Sequence, residues 1–287
     1  MKKTLSICTL LLCTSAAAGL RQYAAKIETS DWQLSKQSRL QCTLVHNIPG
    51  YGAAMFTTMA SKQLNMEFEL DMLLLPQYYG VAAVYSVPPK WMPGRMQRTI
   101  AQMTIRKQYT GDLPESTAWT MLTELEKGYW PTIYYQDWYN HNDKITVGLN
   151  ASNFATPYRE FTHCVGNLLP YSFDDIAYTV LAYKKNSVEL TKYSKQRLNM
   201  IGDYLKQDSD MELVLLDGYS DSYGGRATNQ QLSVRRAAEI KEFFRTMGVP
   251  SEHIEVTGHG ERKHIAPNGN EVSRGRNRRV VIRMSKP

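Results

Sequence analysis

The sequence predicts a two-domain protein, with a mainly β N-terminal domain of barrel or sandwich type followed by an α/β C-terminal domain. The chain has 287 residues, more than one average domain needs. Short strand-like runs separated by Pro, Gly, Asn and Asp fill the chain from about residue 22 to 162. From about residue 172, strands and helices alternate. We therefore assign residues 19–168 to the first domain and 169–287 to the second.

Residues 1–18 have the layout of a secretory signal peptide. Two lysines precede an apolar stretch that ends in small residues. The stretch is too short to span a bilayer, which takes about 20 residues. A lipoprotein signal would carry a small residue before the lipidated Cys, but Leu12 precedes Cys13. We expect cleavage near Ala17 or Ala18 and an exported mature protein without a membrane span.

The predicted strands of the N-terminal domain lie in apolar runs, among them EFELDMLLL, GVAAVYSV, RTIAQMTIRKQY, PTIYYQDWY and KITVGL. One helix interrupts them at 116–128, with Ser116 as N-cap and Gly128 as terminator, and a second is predicted at 156–167. The many Trp and Tyr residues of this half are expected to pack in the core rather than to form a ligand platform.

Cys42 and Cys164 are the only cysteines left after removal of the signal peptide. In an oxidising compartment such a pair is usually a disulfide. Closing a loop of this length constrains the unfolded chain by roughly 4 to 5 kcal/mol in the entropy model. The alternative is a pair of buried thiols.

The sequence of the C-terminal domain alternates between strand-like and helix-like patterns. Strands are predicted at 175–183, 211–219, 253–260 and 278–284, and helices at 191–207 and 229–248. The order is βαβαββ, which predicts helices packed on a mixed sheet.

Asp221 and Arg236 are the candidate binding pair of this domain. Asp221 follows the strand at 211–219, at the end of the sheet where ligands of open α/β folds tend to bind. Arg236 falls at the edge of the apolar stripe of the next helix, whereas Arg235 is rotated into solvent. A carboxylate beside a guanidinium suits a zwitterion, because each binds the opposite charge. From spacing alone, a surface ion pair or a turn residue remains an alternative.

Four motifs, GYSD, LSVRRA, GHGE and GRNRRV, occur in this order and resemble the OmpA-like peptidoglycan-binding domain over roughly residues 175–285. The resemblance implies that Asp221 and Arg236 bind the diaminopimelate of the peptide stem, which carries an ammonium and a carboxylate on one carbon. It also implies further ligand contacts by Asn229, Leu232, Asn277 and Arg278. Their alternative roles are, in that order, a helix-cap residue, a core residue, a turn residue and a solvated strand end.

The segment TSDWQLSKQSRLQCTLVHNIPGYG, with one Cys in each flank of the N-terminal domain, resembles the T-ring proteins of the sodium-driven polar flagellar motor. The resemblance implies a periplasmic protein whose N-terminal domain associates with the flagellar basal body, with MotX as a partner. It also implies that the C-terminal domain fixes the ring to peptidoglycan while stator units assemble around it.

Catalysis and nucleic-acid binding have little support. In GYSDS, Ser222 stands where the nucleophile motif G-x-S-x-G requires its second Gly. His259 and His264 lack the zinc spacing H-E-x-x-H, and no cofactor or metal is expected. The net charge of +7 and the run RGRNRRVVIR fit a nucleic-acid patch, but export argues against one. A generic envelope tether and, less favoured, a peptidoglycan-remodelling enzyme remain as alternatives.

Overall fold

The computed structural model describes residues 19–208 and 211–286, so the predicted signal peptide at 1–18 lies outside the described residues. The chain divides into two compact units. The first unit contains the residues up to 35, 43–57 and 66–160. The second contains 36–42, 58–65 and the residues from 161 onwards.

Ten strands are described in the N-terminal half: β1 (Leu20–Ala24), β2 (Trp32–Gln37), β3 (Gln41–Ile48), β4 (Gly52–Met59), β5 (Glu67–Met72), β6 (Gly80–Val87), β7 (Arg98–Ile105), β8 (Gly111–Leu113), β9 (Trp130–Gln136) and β10 (Lys144–Gly148). Sheet I has the order β1-β10-β9-β6-β7, and sheet II has the order β2-β3-β4-β5-β8. Both five-stranded sheets are open, so the predicted β-rich class is confirmed, whereas the closed-barrel variant is wrong for the described residues.

Two helices accompany these sheets, α1 (Glu115–Glu126) and α2 (Ala155–Gly166). Helix α1 packs against β7 and β9 of sheet I and against β5 of sheet II. The predicted N-cap Ser116 is wrong, because Pro114 occupies the N-cap and its carbonyl accepts hydrogen bonds from the backbone N–H groups of Thr117 and Ala118. The predicted terminator Gly128 is confirmed, since it adopts φ +84° just after the helix.

The predicted disulfide is confirmed. Cys42 of β3 is bonded to Cys164 of α2, with their Cα atoms 6.1 Å apart. Both cysteines are buried and both belong to the second compact unit, although 122 residue positions separate them. Most residues of the first unit therefore belong to the segment of the chain between the two bonded cysteines.

The C-terminal half contains the strands β11 (Tyr178–Ala182), β12 (Leu213–Tyr219), β13 (Ile254–Gly258) and β14 (Arg279–Ser285) and the helices α3 (Asp174–Ala177), α4 (Lys192–Leu205), α5 (Arg226–Thr246) and α6 (Glu271–Asn277). Sheet III has the order β11-β14-β12-β13. Strands β12 and β13 are parallel, and the other neighbours are antiparallel. The predicted α/β domain with a mixed sheet is confirmed.

Two short helices depart from the predicted element order. The predicted strand at 175–183 begins as α3, because Asp175 Oδ2 accepts hydrogen bonds from Ser172 N and Oγ and holds a turn there. Helix α6 lies between β13 and β14, where no helix was predicted. Asn270 caps it by accepting a hydrogen bond from Ser273 N at 2.8 Å.

Helices α4 and α5 pack on sheet III and bury an apolar core, which includes Leu181, Leu198, Ile201, Leu205, Val214, Leu216, Ala237, Ile240, Phe244, Val280 and Ile282. The predicted stripe of Leu198, Ile201 and Leu205 thus lies in the core, as its spacing requires. None of the described helices combines the length and the apolarity that a membrane span needs.

Candidate functional site

Two glycines bring helix α5 close to sheet III. Gly218 of β12 and Gly258 of β13 are neighbours across the parallel pair. A Cβ on Gly218 would lie 2.1 Å from the Ser233 carbonyl oxygen, and one on Gly258 would lie 2.4 Å from Val234 Cγ2. Only glycine allows this approach, which positions the N-terminal half of α5 near the end of β12. The glycines of the GYSD and GHGE motifs thus have a packing role.

Asp221 lies two residues beyond β12, at the carboxyl end of the strand, as predicted. Its side chain is buried and both carboxylate oxygens accept hydrogen bonds. Arg278 Nη1 donates to Oδ2 at 2.8 Å, and the Tyr223 backbone N–H donates to Oδ1 at 3.2 Å. The carboxylate is therefore held in a fixed orientation.

Arg278 joins helix α6 to this carboxylate. Its Nη2 donates to Glu271 Oε1 at 2.7 Å, and its side chain is only 8% exposed. The alternative interpretation of Arg278 as a solvated strand end is therefore wrong. Its buried Nε has no hydrogen-bond acceptor among the described residues. Desolvation raises the pKa of Glu271, but hydrogen bonds from Arg278 and Arg274 hold that pKa below its ordinary value.

Arg236 lies deeper than the expected edge of the apolar stripe, because its exposed fraction is 0%. Backbone carbonyls make this burial possible: Nη2 and Nε donate to Ser187 O at 2.7 and 3.0 Å, and Nη1 donates to Tyr219 O at 3.4 Å. The Tyr183 ring lies 4.7 Å from Cζ. Burial lowers the pKa of Arg236 to about 10, so the side chain remains cationic at neutral pH.

Asp221 and Arg236 are not joined by a hydrogen bond in the described structure, since the Asp221 carboxylate bonds to Arg278 instead. The charges still influence one another. After burial and Tyr183, which have larger effects, Arg278 lowers the pKa of Arg236 and Asp221 raises it. The three side chains form a polar cluster of two guanidinium groups and one carboxylate, which we call the Asp221 cluster.

The remaining predicted residues, Asn229, Asn277 and Leu232, differ in their contacts and burial. Asn229 Nδ2 donates to Glu261 Oε2 at 3.1 Å. Asn277 is fully buried, and its Oδ1 accepts hydrogen bonds from the backbone N–H groups of Ile265 and Ala266. Asn277 thereby fixes the loop between β13 and α6. Leu232 is half-buried on α5.

The Asp221 cluster has the charges that a zwitterion requires. The carboxylate attracts an ammonium group, and a guanidinium binds a carboxylate through two parallel hydrogen bonds. Because Arg278 already bonds to Asp221, an incoming ammonium must share or replace that contact. Arg278 has an unbonded Nε, whereas the donors of Arg236 are directed at backbone carbonyls.

Reasoning from single residues did not find the partners Glu271, Tyr183 and Ser187. A signal for Glu271 exists in the sequence, because Asn270 and Ser273 have the spacing of an N-cap and mark the start of α6. No comparable signal exists for Ser187, since Arg236 bonds to its backbone carbonyl.

Known proteins resemble this chain over nearly its whole length. A model of the MotY N-terminal domain matches residues 23–170, and a model of the OmpA family matches residues 182–278. The sodium-type flagellar protein MotY of Vibrio parahaemolyticus is 40% identical over 278 residues, which cover 97% of this chain and 95% of that relative. The chain belongs to the MotY family. The predicted whole-chain resemblance is thereby confirmed.

Other relatives match only part of this MotY-family chain. The peptidoglycan-binding protein ArfA of Mycobacterium tuberculosis is 32% identical over 102 residues, covering 36% of this chain and 31% of ArfA. A crystal structure of the peptidoglycan-associated lipoprotein from Burkholderia pseudomallei is 23% identical and covers 37% of this chain and 89% of its own. The TM-score of this match is 0.34. The names of the MotY and OmpA-family relatives agree with the prediction of a non-enzymatic protein.

Proposed function

We propose that this protein is a structural component of the flagellar motor, which connects the basal body to the cell wall. The N-terminal domain associates with the basal body as part of the T ring, with MotX as a partner. The C-terminal domain anchors the ring to peptidoglycan and supports the assembly of stator units. The observation that carries this proposal is the similarity to a flagellar MotY over 97% of the chain, with an OmpA-family domain in its C-terminal half.

The peptidoglycan site is the Asp221 cluster. Asp221 binds the ammonium of diaminopimelate, and the positive charge of Arg236 and Arg278 attracts its carboxylate. Asn229 and Leu232 line the approach from α5, and Asn277 holds the loop beside it. The carboxyl-end position of Asp221 and its contact with Arg278 support this assignment.

The organisation of the chain follows the same proposal. Residues 1–18 direct export, residues 19–168 form the domain that binds the basal body, and residues 169–287 form the domain that binds peptidoglycan. The mature protein works in the periplasm, at the flagellar basal body.

Co-sedimentation of the full-length protein with purified sacculi tests the site. Asp221→Ala is expected to lower the bound fraction at least tenfold, because the ammonium loses its counter-charge. Arg235→Ala is the matched control on α5, since Arg235 is exposed and pairs only weakly with Glu239 at 3.5 Å. Folding of each variant is checked by urea denaturation. A folded Asp221→Ala variant that sediments like the wild type contradicts the site.

Deletion of the gene separates a motor component from a generic envelope tether. Loss of swimming with normal filaments, together with recovery of the protein in purified hook-basal bodies, supports the motor role. Normal swimming by the deletion strain contradicts it.

A further inference from the structure

The two faces of sheet I differ in burial. Side chains alternate along each strand, and the inward set is in the core of the first unit, as Val84, Ile133, Ile145 and Val147 illustrate. The ladder register places the other set on one outer face, where Gln22, Thr146 and Tyr134 follow one another across β1, β10 and β9. Residue Ala83 of β6 continues this row. The outer face is only partly covered.

Two cavities open on this outer face. One has a volume of about 390 Å³ and is lined by residues that include Ala83, Tyr85, Tyr134 and Lys144. The other has a volume of about 540 Å³ and is lined by residues that include Gln22, Ala24, Ile27, Val87, Trp91 and Trp130. We call the two cavities together the aromatic groove. Tyr85 and Tyr134 meet edge to face, and so do Trp91 and Trp130, with ring centroids 5.6 and 6.1 Å apart.

Large apolar side chains of the groove are open to solvent. Trp91 is 54% exposed and Ile27 is 46% exposed. Exposed aromatic side chains that cluster around a cavity are typical of protein interfaces, where Trp is enriched among the residues that dominate binding energy.

Two buried polar atoms on the same face lack a hydrogen-bond partner among the described residues. They are Trp130 Nε1 and Thr146 Oγ1. Both atoms are shielded from solvent, so they do not decide which partner docks on this face.

The rim of the groove is basic. Lys26, Lys90 and Lys144 line the two cavities, with Glu28 as the acidic side chain among their lining residues. A partner that matches this rim carries carboxylates beside its apolar side chains, because opposite charges steer and orient association.

We propose that the aromatic groove is the docking site for a protein of the basal body, which inserts apolar side chains flanked by Asp or Glu. The identity of the partner as a basal-body protein rests on the proposed function. The lysine rim favours an acidic protein segment over a neutral glycan, because an uncharged sugar offers no counter-charge to Lys26, Lys90 and Lys144.

The test uses the full-length protein and hook-basal bodies purified from a strain that lacks the gene. A groove variant combines Trp91→Ala with Lys90→Glu. The matched control combines Tyr109→Ala with Lys107→Glu, which removes an exposed aromatic ring and reverses one charge at residues that do not line the groove. Binding to sacculi is measured in parallel for all three proteins.

We expect the groove variant to bind hook-basal bodies at least tenfold more weakly, the control variant within about twofold of the wild type, and all three to bind sacculi equally. Wild-type affinity should fall with added salt, because the lysine rim contributes. If the wild type binds and the groove variant binds equally well, this inference is overturned, whereas the proposed function stands. If the wild type does not bind hook-basal bodies, the proposed function itself fails. Binding of the wild type to anionic lipid vesicles that the groove variant loses would assign the groove to a membrane and would also overturn the inference.

Discussion

The Asp221 cluster is buried and held by hydrogen bonds, whereas the aromatic groove of sheet I exposes large apolar side chains to solvent. In the cluster, Asp221 and Arg278 are joined at 2.8 Å and Arg236 donates to backbone carbonyls. In the groove, Trp91 is exposed and Trp130 Nε1 has no described acceptor. The first arrangement holds charges in fixed positions, which suits the small zwitterion that we propose as its ligand. The second provides apolar area that a larger partner can cover.

Binding and stability are therefore expected to be separable in the first unit, which contains the groove. They are expected to be coupled in the second unit, which contains the Asp221 cluster. Residues of the Asp221 cluster also satisfy buried polar groups, so their replacement is expected to weaken both the fold and the binding. The groove residue Trp91 is more than half exposed in the free protein, so its replacement is expected to affect binding much more than stability.

The largest effect is expected from the disulfide. Replacing both Cys42 and Cys164 by Ser should lower the free energy of unfolding by roughly 4 kcal/mol, because the bridge closes a long loop in the unfolded chain. Denaturant titration under non-reducing conditions measures the change. The wild type with reductant is the control and should lose the same amount. Identical unfolding midpoints with and without the bridge would contradict the prediction.

The next effect is expected from the buried guanidinium. Arg236→Met should lower the free energy of unfolding by about 3 kcal/mol, since Ser187 O and Tyr219 O lose their donors. Arg235→Met is the control on the same helix and should change stability by less than about 0.5 kcal/mol, because its side chain is exposed. Equal urea midpoints for the two variants would show that burial of Arg236 does not contribute to stability.

A smaller effect is expected from pH. Burial raises the pKa of Asp217, but hydrogen bonds from His259 and Arg283 outweigh it and hold that pKa below its ordinary value. The carboxylate therefore stabilises the second unit above the ordinary Asp pKa of about 3.9, and this contribution is lost as the pH falls through the lowered value. Asp217→Asn should weaken the pH dependence of stability between about pH 5 and 2. Asp71→Asn, at an exposed position of the first unit, should not. Parallel curves for the Asp217 variant and the wild type would contradict this.

The smallest effect on stability is expected in the groove. Trp91→Ala should change the free energy of unfolding by no more than about 1 kcal/mol, because Trp91 is 54% exposed and its edge-to-face contact with Trp130 is worth about 0.5 to 1.5 kcal/mol. Thermal unfolding of the full-length variant measures it. A loss of more than about 2 kcal/mol would mean that Trp91 supports the fold and that binding and stability are coupled in this unit too.

The sequence predicted long, periodic elements better than short ones. Helices α4 and α5 have apolar residues at helical spacing, which define their buried faces without knowledge of the rest of the chain. Helices α3 and α6 depend on local hydrogen bonds between backbone and side chain. The Ser172 N–H donates to Asp175, and the Ser273 N–H donates to Asn270. The spacing of apolar residues does not reveal such bonds.

The same limit applies to the site. The position of Asp221 follows from the end of a predicted strand, and the family motifs added Arg278. Helical spacing placed Arg236 at the edge of the apolar stripe, yet the side chain is fully buried. Its burial depends on carbonyl groups of Ser187 and Tyr219, which belong to other segments of the chain. Tertiary contacts of this kind have no local signature in the sequence.

The central claim is that one protein holds the basal body and the cell wall through two separate surfaces. The most direct measurement mixes full-length protein, hook-basal bodies and purified sacculi, and quantifies the hook-basal bodies that sediment with the sacculi. We predict sedimentation with the wild type, and its loss with either Asp221→Ala or the Trp91→Ala, Lys90→Glu variant, each of which still binds one of the two structures. Undiminished bridging by both variants would contradict the account.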